Sequence, residues 1–186
     1  IKGGITEDTN QFTQEPFYYL TQLPTLPQIY IDDVLSRPNE DYTYFPPERP
    51  NRTPLIDNDS LFDTTPFIKD CNNHFGYTAA TILRFDPMTV LDWHVDHPRK
   101  CAMNILINEV DGMSRTFMRE QVSGWNYRML EVKYSVGVPI LINTMLQHTT
   151  YNFHPTKTRY VLSVSFGREA TYSEVKEYLQ KFTDYN

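Results

Sequence analysis

Near its carboxyl end the sequence reads Arg159-Tyr-Val-Leu-Ser-Val-Ser-Phe166. Successive side chains of a β-strand point to opposite faces, so the odd-numbered residues from Arg159 to Ser165 would share one face. The even-numbered residues from Tyr160 to Phe166 would share the other face. The first face is the more polar and carries a guanidinium, whereas the second is apolar. The pattern predicts a strand whose two faces meet different surroundings.

Upstream of this strand, several short segments also have strand character. They are Thr78 to Phe85, Ala102 to Ile107, Arg115 to Arg119, Tyr127 to Lys133 and Val138 to Asn143. Turn-forming pairs such as Asp111-Gly112 and Ser123-Gly124 separate them. Many short strands with few helices between them favour an antiparallel sandwich or barrel. We therefore predict a mainly β protein with a barrel core over residues 77–167 and a few flanking helices.

The amino-terminal part of the sequence is rich in proline, with nine of the 13 prolines before residue 70. Proline fixes φ and lacks an amide donor, so residues 1–70 are predicted to form a largely irregular segment that wraps the core. Within it, Ile29-Tyr30-Ile31 is predicted to be a short strand. Asp32 to Ser36 is predicted to be a turn or short helix that Pro38 stops.

Two helices are predicted at the borders of the barrel core. The first runs from about Thr65 to Phe75, because Thr65 can cap it, Pro66 suits its first position and Gly76 suits its exit. The second lies within 172–184, where apolar residues recur at helical spacing and Ser173 is the expected cap.

Composition limits the possible function classes. With 186 residues the chain is expected to form a single domain, 1–186. The net charge of −6 argues against nucleic acid as a partner, because such proteins neutralise phosphates with lysine and arginine. The sequence has no long apolar run or signal peptide, so we expect no membrane partner and a cytoplasmic location. Cys71 and Cys101 are too few for a disulfide framework or a cysteine-rich zinc site.

The segment Leu91-Asp-Trp-His-Val-Asp-His-Pro98 contains a candidate metal motif. In an extended chain, residues i and i+2 share a face, so His94 and Asp96 can point at one ion. An isolated His-x-Asp pair is also typical of a hydrogen-bonded surface couple, and the motif alone does not decide between the two.

A third ligand has to come from elsewhere in the sequence, and the candidates are His74, His97, His148 and His154. We favour His148, because it follows the apolar segment Val138 to Asn143, where a barrel would return the chain beside the first motif. His154 stays open as the alternative distal ligand. Two imidazoles and one carboxylate leave one face of the ion open, as expected of a non-haem Fe(II) site that activates oxygen.

The order His94-x-Asp96, a β-rich interval, His148 and then Arg159 resembles the 2-oxoglutarate- and Fe(II)-dependent dioxygenases. It is most similar to the aspartyl/asparaginyl β-hydroxylase and proline hydroxylase branch, over approximately residues 77–166. The resemblance implies a double-stranded β-helix, which is a jelly-roll or cupin-like barrel. It also implies Fe(II) bound by His94, Asp96 and His148, and 2-oxoglutarate bound through its far carboxylate by Arg159, with Asn104 as a further contact.

Two departures from the family pattern bear on the site. Many relatives have a serine two residues beyond the arginine, whereas this sequence has Val161, so a hydroxyl contact would come from another residue such as Ser163. The Arg-x-Asn-x-(Ser/Thr)-x-Arg ending of nucleic-acid demethylases is also missing, which agrees with the acidic charge.

The expected activity is hydroxylation of an unactivated C–H bond in an amino acid, a peptide side chain or another small substrate. A substrate carboxylate could be met by Arg84, Arg99, Lys100 or Arg128, although such residues are usually solvated. Two alternatives stay open: a non-catalytic, cupin-like metal- or ligand-binding module, and a zinc hydrolase. The sequence predicts neither the identity of the substrate nor the oligomeric state.

Overall fold

The computed structural model describes residues 12–38, 42, 51–52, 65–76, 78–167 and 169–182. Within them the chain forms ten strands and three helices. In chain order these are β1 (Phe17–Tyr19), α1 (Gln28–Ser36), β2 (Asn51–Arg52), α2 (Pro66–Phe75), β3 (Thr78–Phe85), β4 (Thr89–His94), β5 (Ala102–Leu106), β6 (Ser114–Ser123), β7 (Asn126–Val132), β8 (Pro139–Ile142), β9 (Gln147–Asn152), β10 (Arg159–Phe166) and α3 (Tyr172–Gln180).

The strands form two antiparallel sheets. The major sheet has the order β1-β8-β5-β10-β3-β2, and the minor sheet has the order β4-β9-β6-β7. Side chains from both sheets meet between them, including Ile140 and Ile142 of β8 with Met118 of β6 and Leu130 of β7. The predicted mainly β, jelly-roll architecture of the double-stranded β-helix type is confirmed.

Strand β10 lies in the middle of the major sheet, between β3 and β5, and its two faces differ as predicted. Leu162, Val164 and Phe166 join the largest hydrophobic cluster, to which all three helices contribute buried side chains. Arg159, Val161 and Ser163 point the other way, toward the minor sheet, and all three are buried. The helices therefore cover the outer face of the major sheet, and the space between the sheets is free to hold a polar site.

The predicted strand at Ile29-Tyr30-Ile31 is wrong, because these residues belong to α1 together with Asp32 to Ser36. The buried residues of this helix are Tyr30, Ile31 and Val34, which is a helical spacing. Packing of this face on the core outweighs the β propensity of the two isoleucines. Of the predicted Pro-rich wrapping segment, residues 1–11 and most of 39–64 lie outside the described residues.

Helix α2 ends as predicted, with Gly76 in the left-handed conformation at φ 73° and its N–H donating to the Asn72 carbonyl. Thr65 takes the predicted N-cap position of α2, but the expected capping hydrogen bond is wrong, because its side chain makes none. At α3 the expected cap is also wrong: Thr171, not Ser173, accepts from the Glu174 N–H, and Glu174 reaches back in a capping box. Helix α3 ends at Gln180, and residues 183–186 lie outside the described part of the chain.

The strands β3 and β10 have the predicted bounds, and β6 is longer than the predicted Arg115 to Arg119. The sequence pattern does not predict strands β1, β2 and β9, and for β4 it predicts only an extended chain around the metal motif. Among the described residues, no helix is both long enough and apolar enough to cross a membrane.

Candidate active site

The pairing of β4 with β9 brings His94 opposite His148. Leu91 pairs with Thr150 and His94 pairs with His148, so three steps along β4 correspond to two steps along β9. The extra residue in β4 is a β-bulge. Because side chains alternate along a regular strand, the bulge is what allows both Leu91 and His94 to line the same internal cavity.

Both imidazoles are oriented by backbone carbonyls. His94 donates its Nδ1–H to the Asp92 carbonyl at 2.6 Å, and His148 donates its Nδ1–H to the Leu146 carbonyl at 3.0 Å. A carbonyl oxygen only accepts, so the neutral rings carry their lone pairs on Nε2. The ring centroids lie 4.2 Å apart. Each histidine thus presents Nε2 as a metal ligand would.

Asp96 follows β4 and is only 8% exposed. Its Oδ1 lies 3.6 Å from Nε2 of His94, and its Oδ2 lies 3.9 Å from Nε2 of His148. The three residues offer ligand atoms that lie within 4.8 Å of one another. The structure therefore brings together the three side chains that the sequence selected as candidate ligands.

The loop after β4 fixes Asp96 from both sides. The Asp96 N–H donates to the Thr144 carbonyl at 3.0 Å, and the Thr144 hydroxyl donates to the Arg99 carbonyl at 2.7 Å. The Arg99 guanidinium forms an ion pair with Oδ2 of Asp96 and also donates to Ser163 and Ser165 of β10. Arg99 is therefore bound to the protein itself, not free to meet a substrate from solvent, as the sequence had left possible.

The charge states at neutral pH suit metal binding. Burial raises the pKa of Asp96, but the Arg99 guanidinium, His148 and His94 outweigh burial and hold that pKa below its usual value. Burial, followed by the neighbouring His94, lowers the pKa of His148 to about 4. Asp96 is consequently an anion and His148 a neutral base, which are the forms that bind metals.

The cavity in front of these residues has a volume of about 70 Å³ and a mixed lining. Its apolar wall comprises Leu83, Phe85, Leu91, Ile142 and Val161. Its remaining polar lining comprises Arg99, Asn104, Thr116, Tyr134, Thr144 and Thr150. An enclosed pocket with an apolar wall and a few converging polar groups is the usual form of a small-molecule site.

Arg159 lies at the start of β10 and is 2% exposed. One of its amino groups donates to the Ser114 hydroxyl at 3.2 Å, and the guanidinium lies over the Tyr134 ring at 5.0 Å. Its Nε has no hydrogen-bond partner. No carboxylate of the described residues forms an ion pair with it, and Glu109 acts on it only through longer-range charge. Burial of this charge without a counter-ion lowers the pKa of Arg159.

Tyr134 is the main functional candidate that sequence reasoning missed. It lines the cavity at the histidines and also a neighbouring cavity of about 350 Å³, which Arg159 lines as well. Asn104 donates to the Tyr134 hydroxyl at 3.4 Å, while the Asn104 Oδ1 is buried without a partner. Tyr134 lies in the connection between β7 and β8, where no motif or strand periodicity marked it.

The other candidate histidines lie elsewhere. The His154 Nδ1 accepts from the backbone N–H groups of Thr156 and Lys157, and its Nε2 lies 3.4 Å from Asp111. His74 stacks on Tyr178 at 3.9 Å between ring centroids, and His97 is exposed. Within the described residues, the one histidine and carboxylate group that could hold a metal ion contains His148 and not His154.

Comparison with solved structures identifies the fold. A prolyl-4-hydroxylase from Pseudomonas putida matches with a TM-score of 0.61 at 13% identity, covering 87% of this chain and 97% of the hydroxylase. An oxidoreductase of the 2OG-Fe(II) oxygenase family from Burkholderia pseudomallei matches with a TM-score of 0.58 at 12% identity, covering 91% and 93% of the two chains. The fold is that of the 2-oxoglutarate- and Fe(II)-dependent oxygenases.

The oxygenase fold also matches an α-ketoglutarate-dependent non-haem epimerase, SnoN from nogalamycin biosynthesis. The TM-score is 0.55 at 8% identity, with 86% of this chain and 81% of the epimerase covered. No protein-family model matches the sequence, and no curated protein matches it by sequence. The likeness is therefore one of structure, and the chemistry has to be argued from the residues of the site.

Proposed function

We propose that His94, Asp96 and His148 bind Fe(II) and that the protein is a 2-oxoglutarate-dependent oxygenase. The observation that carries this proposal is the convergence of two Nε2 lone pairs and a carboxylate inside the oxygenase fold. Each neutral imidazole has one N–H, and in both rings it is the Nδ1–H, which donates to a backbone carbonyl. No proton therefore lies between the Nε2 atoms and Asp96. A cation between them satisfies all three groups, and two imidazoles with one carboxylate suit Fe(II) with open positions.

The described residues also fit a dicarboxylate cosubstrate. Arg159 is a buried guanidinium without a counter-ion, and a carboxylate that bound it would remove the cost of that isolated charge. Arginine is suited to this role because its planar fork can bind a carboxylate through two parallel hydrogen bonds. We therefore assign Arg159 to the far carboxylate of 2-oxoglutarate.

Asn104 is the second residue assigned to the cosubstrate. A 180° rotation of a side-chain amide exchanges the places of its oxygen and its amino group. After this rotation of Asn104, its oxygen lies beside the Tyr134 hydroxyl and accepts from it. Its amino group then takes the buried position where the oxygen had no partner. An amino group in that place can donate to a carboxylate. Tyr134 lines both the cavity at the metal ligands and the cavity at Arg159.

When bound, Fe(II) and 2-oxoglutarate supply the oxidation: the cosubstrate is decarboxylated to succinate as oxygen is consumed, and a substrate C–H bond is hydroxylated. The protein holds the metal, orients the cosubstrate and keeps water out with its apolar wall, including Leu91 and Val161. We propose an amino acid, a peptide side chain or another small molecule as the substrate.

A zinc hydrolase with the same ligands is disfavoured. Such an enzyme needs a general base beside the metal-bound water. In the part of the chain that the structure describes, the cavity lining contains no glutamate, and its one aspartate is the candidate ligand Asp96. A buried arginine without a counter-ion would also have no role in hydrolysis.

Metal titration tests the proposed ligand set. We expect one Fe(II) per chain under anaerobic conditions, and Mn²⁺ as a stand-in that does not react with oxygen. His94→Ala, Asp96→Ala and His148→Ala should each weaken binding by more than about 100-fold, beyond the effect of losing a residue that only hydrogen-bonds a ligand. His154→Ala is the matched control and should bind metal as the wild type does. Undiminished binding by His148→Ala with loss in His154→Ala would show that the distal ligand is misassigned.

A further inference from the structure

Arg99 makes an unusually complete set of contacts beside the proposed metal ligands. Its Nε donates to Oδ2 of Asp96 at 3.1 Å, and its Nη2 makes a second, shorter hydrogen bond to the same oxygen. Its Nη1 donates to the hydroxyls of Ser163 and Ser165, both at 3.0 Å. Four of the five guanidinium hydrogens thus have acceptors within the protein.

From this geometry we infer that Arg99 is a positioning residue that holds Asp96 as a one-oxygen metal ligand and keeps a coordination position free for the cosubstrate. The inference rests on the proposed function, because it concerns the same metal site. Oδ2 of Asp96 lies 3.9 Å from Nε2 of His148, but it accepts both hydrogen bonds from Arg99. Oδ1, at 3.6 Å from Nε2 of His94, accepts none from Arg99 and is the oxygen that we assign to the ion. A carboxylate that rotated to bind through both oxygens would occupy one of the positions that a chelating cosubstrate needs.

The attachment of Arg99 to β10 makes this arrangement rigid. Ser163 is fully buried, and both serines lie on the face of the strand that also carries Arg159. At the other end, Thr144 binds the backbone of both Asp96 and Arg99. Strand β10 therefore carries the proposed cosubstrate arginine, Arg159, and also holds the metal ligand Asp96 in place through Arg99. Ser163, which the sequence suggested as a cosubstrate contact, accepts from Arg99 instead.

The charge of Arg99 also favours the binding of a dicarboxylate cosubstrate. The positive charge of Arg99 offsets the negative charge of Asp96, so the two neutral histidines and a divalent ion form a site with a net charge of about +2. Without Arg99 the same site would carry about +1. A dianionic chelator such as 2-oxoglutarate is attracted more strongly to the first site than to the second. Arg99 therefore favours binding of the dicarboxylate over binding of a neutral ligand.

The experiment compares Co²⁺-loaded wild type with Arg99→Met and Arg99→Lys, using 2-oxoglutarate as the ligand. Visible absorption reports Co²⁺ coordination, and calorimetry gives ligand affinity without any turnover. We expect Arg99→Met to bind one Co²⁺, to show an altered Co²⁺ spectrum and to bind 2-oxoglutarate at least about 10-fold more weakly. Arg99→Lys keeps the charge but not the fork, so it should recover part of the affinity.

Lys100→Met is the matched control. Lys100 also carries a positive charge, but it lies 3.1 Å from Glu169 and does not contact Asp96. This variant should resemble the wild type in both spectrum and affinity. The double variant Ser163→Ala/Ser165→Ala removes two acceptors of Arg99 without changing charge, and should lower 2-oxoglutarate affinity by a smaller factor. If Arg99→Met does not fold, this double variant still tests whether the position of Arg99 affects 2-oxoglutarate affinity.

The outcomes separate the inference from the proposed function. If wild type and Arg99→Met bind Co²⁺ and 2-oxoglutarate equally well, with the same spectrum, Arg99 has only a structural role and the inference is overturned while the proposed function stands. If the wild type binds Co²⁺ but not 2-oxoglutarate, the cosubstrate assignment and the inference both fail. If the wild type binds no divalent metal, the proposed metal site itself is wrong.

Discussion

Arg159 shows most clearly what a single residue contributes to the proposed site. Strand periodicity predicted that it faces away from the apolar side of β10, and the structure agrees. Periodicity could not predict that the guanidinium would be buried without a counter-ion, because that depends on residues from β6 and from the β7–β8 connection. A buried, unpaired charge is costly to the folded protein. Such a cost is expected where binding an anion is the function.

Replacing Arg159 with methionine should separate binding from stability. We expect the affinity of the metal-loaded protein for 2-oxoglutarate to fall about 100-fold, or roughly 2.7 kcal/mol, since a charge-assisted hydrogen-bond pair is lost. The free energy of unfolding of the metal-free protein should not fall by the 3–5 kcal/mol typical of breaking a buried ion pair, because Arg159 has no partner to leave behind. Calorimetry and urea denaturation measure the two quantities.

Arg159→Lys is the control for charge without the planar fork, and its affinity should lie between those of the wild type and Arg159→Met. Wild-type affinity for 2-oxoglutarate in Arg159→Met would show that this arginine does not bind the cosubstrate.

Other residues of the site differ in how far sequence could identify them. His94 and Asp96 were selected because residues i and i+2 of a regular strand share a face. The structure brings them together for a different reason, since β4 contains a bulge before His94 and Asp96 lies beyond the end of the strand. Tyr134 could not be selected, because a single tyrosine in a connecting segment carries no periodic signal.

At the scale of elements, strand β9 shows why a strand that carries site residues can escape prediction from sequence. Strand β9, Gln147-His-Thr-Thr-Tyr-Asn152, is polar because its inward side chains face the cavity and not a hydrophobic core. Its apolar content is therefore too low for a strand signal. Strands β3 and β10, which cover the main core, were predicted with their observed bounds. A strand such as β10, which has one face in the core, keeps an apolar pattern that predicts it even though its other face carries Arg159.

Helix α3 provides a test at this scale, because sequence and structure select different caps. Thr171→Ala should lower the free energy of unfolding by about 1 kcal/mol, since it removes the hydroxyl that accepts from the Glu174 N–H and one half of the capping box. Ser173→Ala should change it by less than about 0.5 kcal/mol, because Ser173 is an exposed residue inside the first turn. Urea denaturation of both variants beside the wild type measures the difference. A larger loss in Ser173→Ala than in Thr171→Ala would contradict the observed cap.

At the scale of the whole molecule, the site exists because two antiparallel sheets face each other. The ligands come from β4, the loop after it and β9, and the proposed cosubstrate residues come from β5 and β10 in the opposite sheet. The number of strands predicted a barrel or sandwich, but strand order is set by pairings between distant segments, which a single sequence does not display. Resemblance to a known family, and not periodicity, was what joined the histidines and Arg159 into one hypothesis.

The most direct test of the central claim is the measurement of succinate formed from 2-oxoglutarate by the Fe(II)-loaded protein in the presence of oxygen. We predict iron- and oxygen-dependent succinate formation in the wild type and in His154→Ala, and none above background in His148→Ala. A wild-type protein that binds Fe(II) at these residues, yet neither binds 2-oxoglutarate nor converts it to succinate, would contradict the proposed oxygenase. Equal succinate formation by His148→Ala would contradict the proposed ligand set.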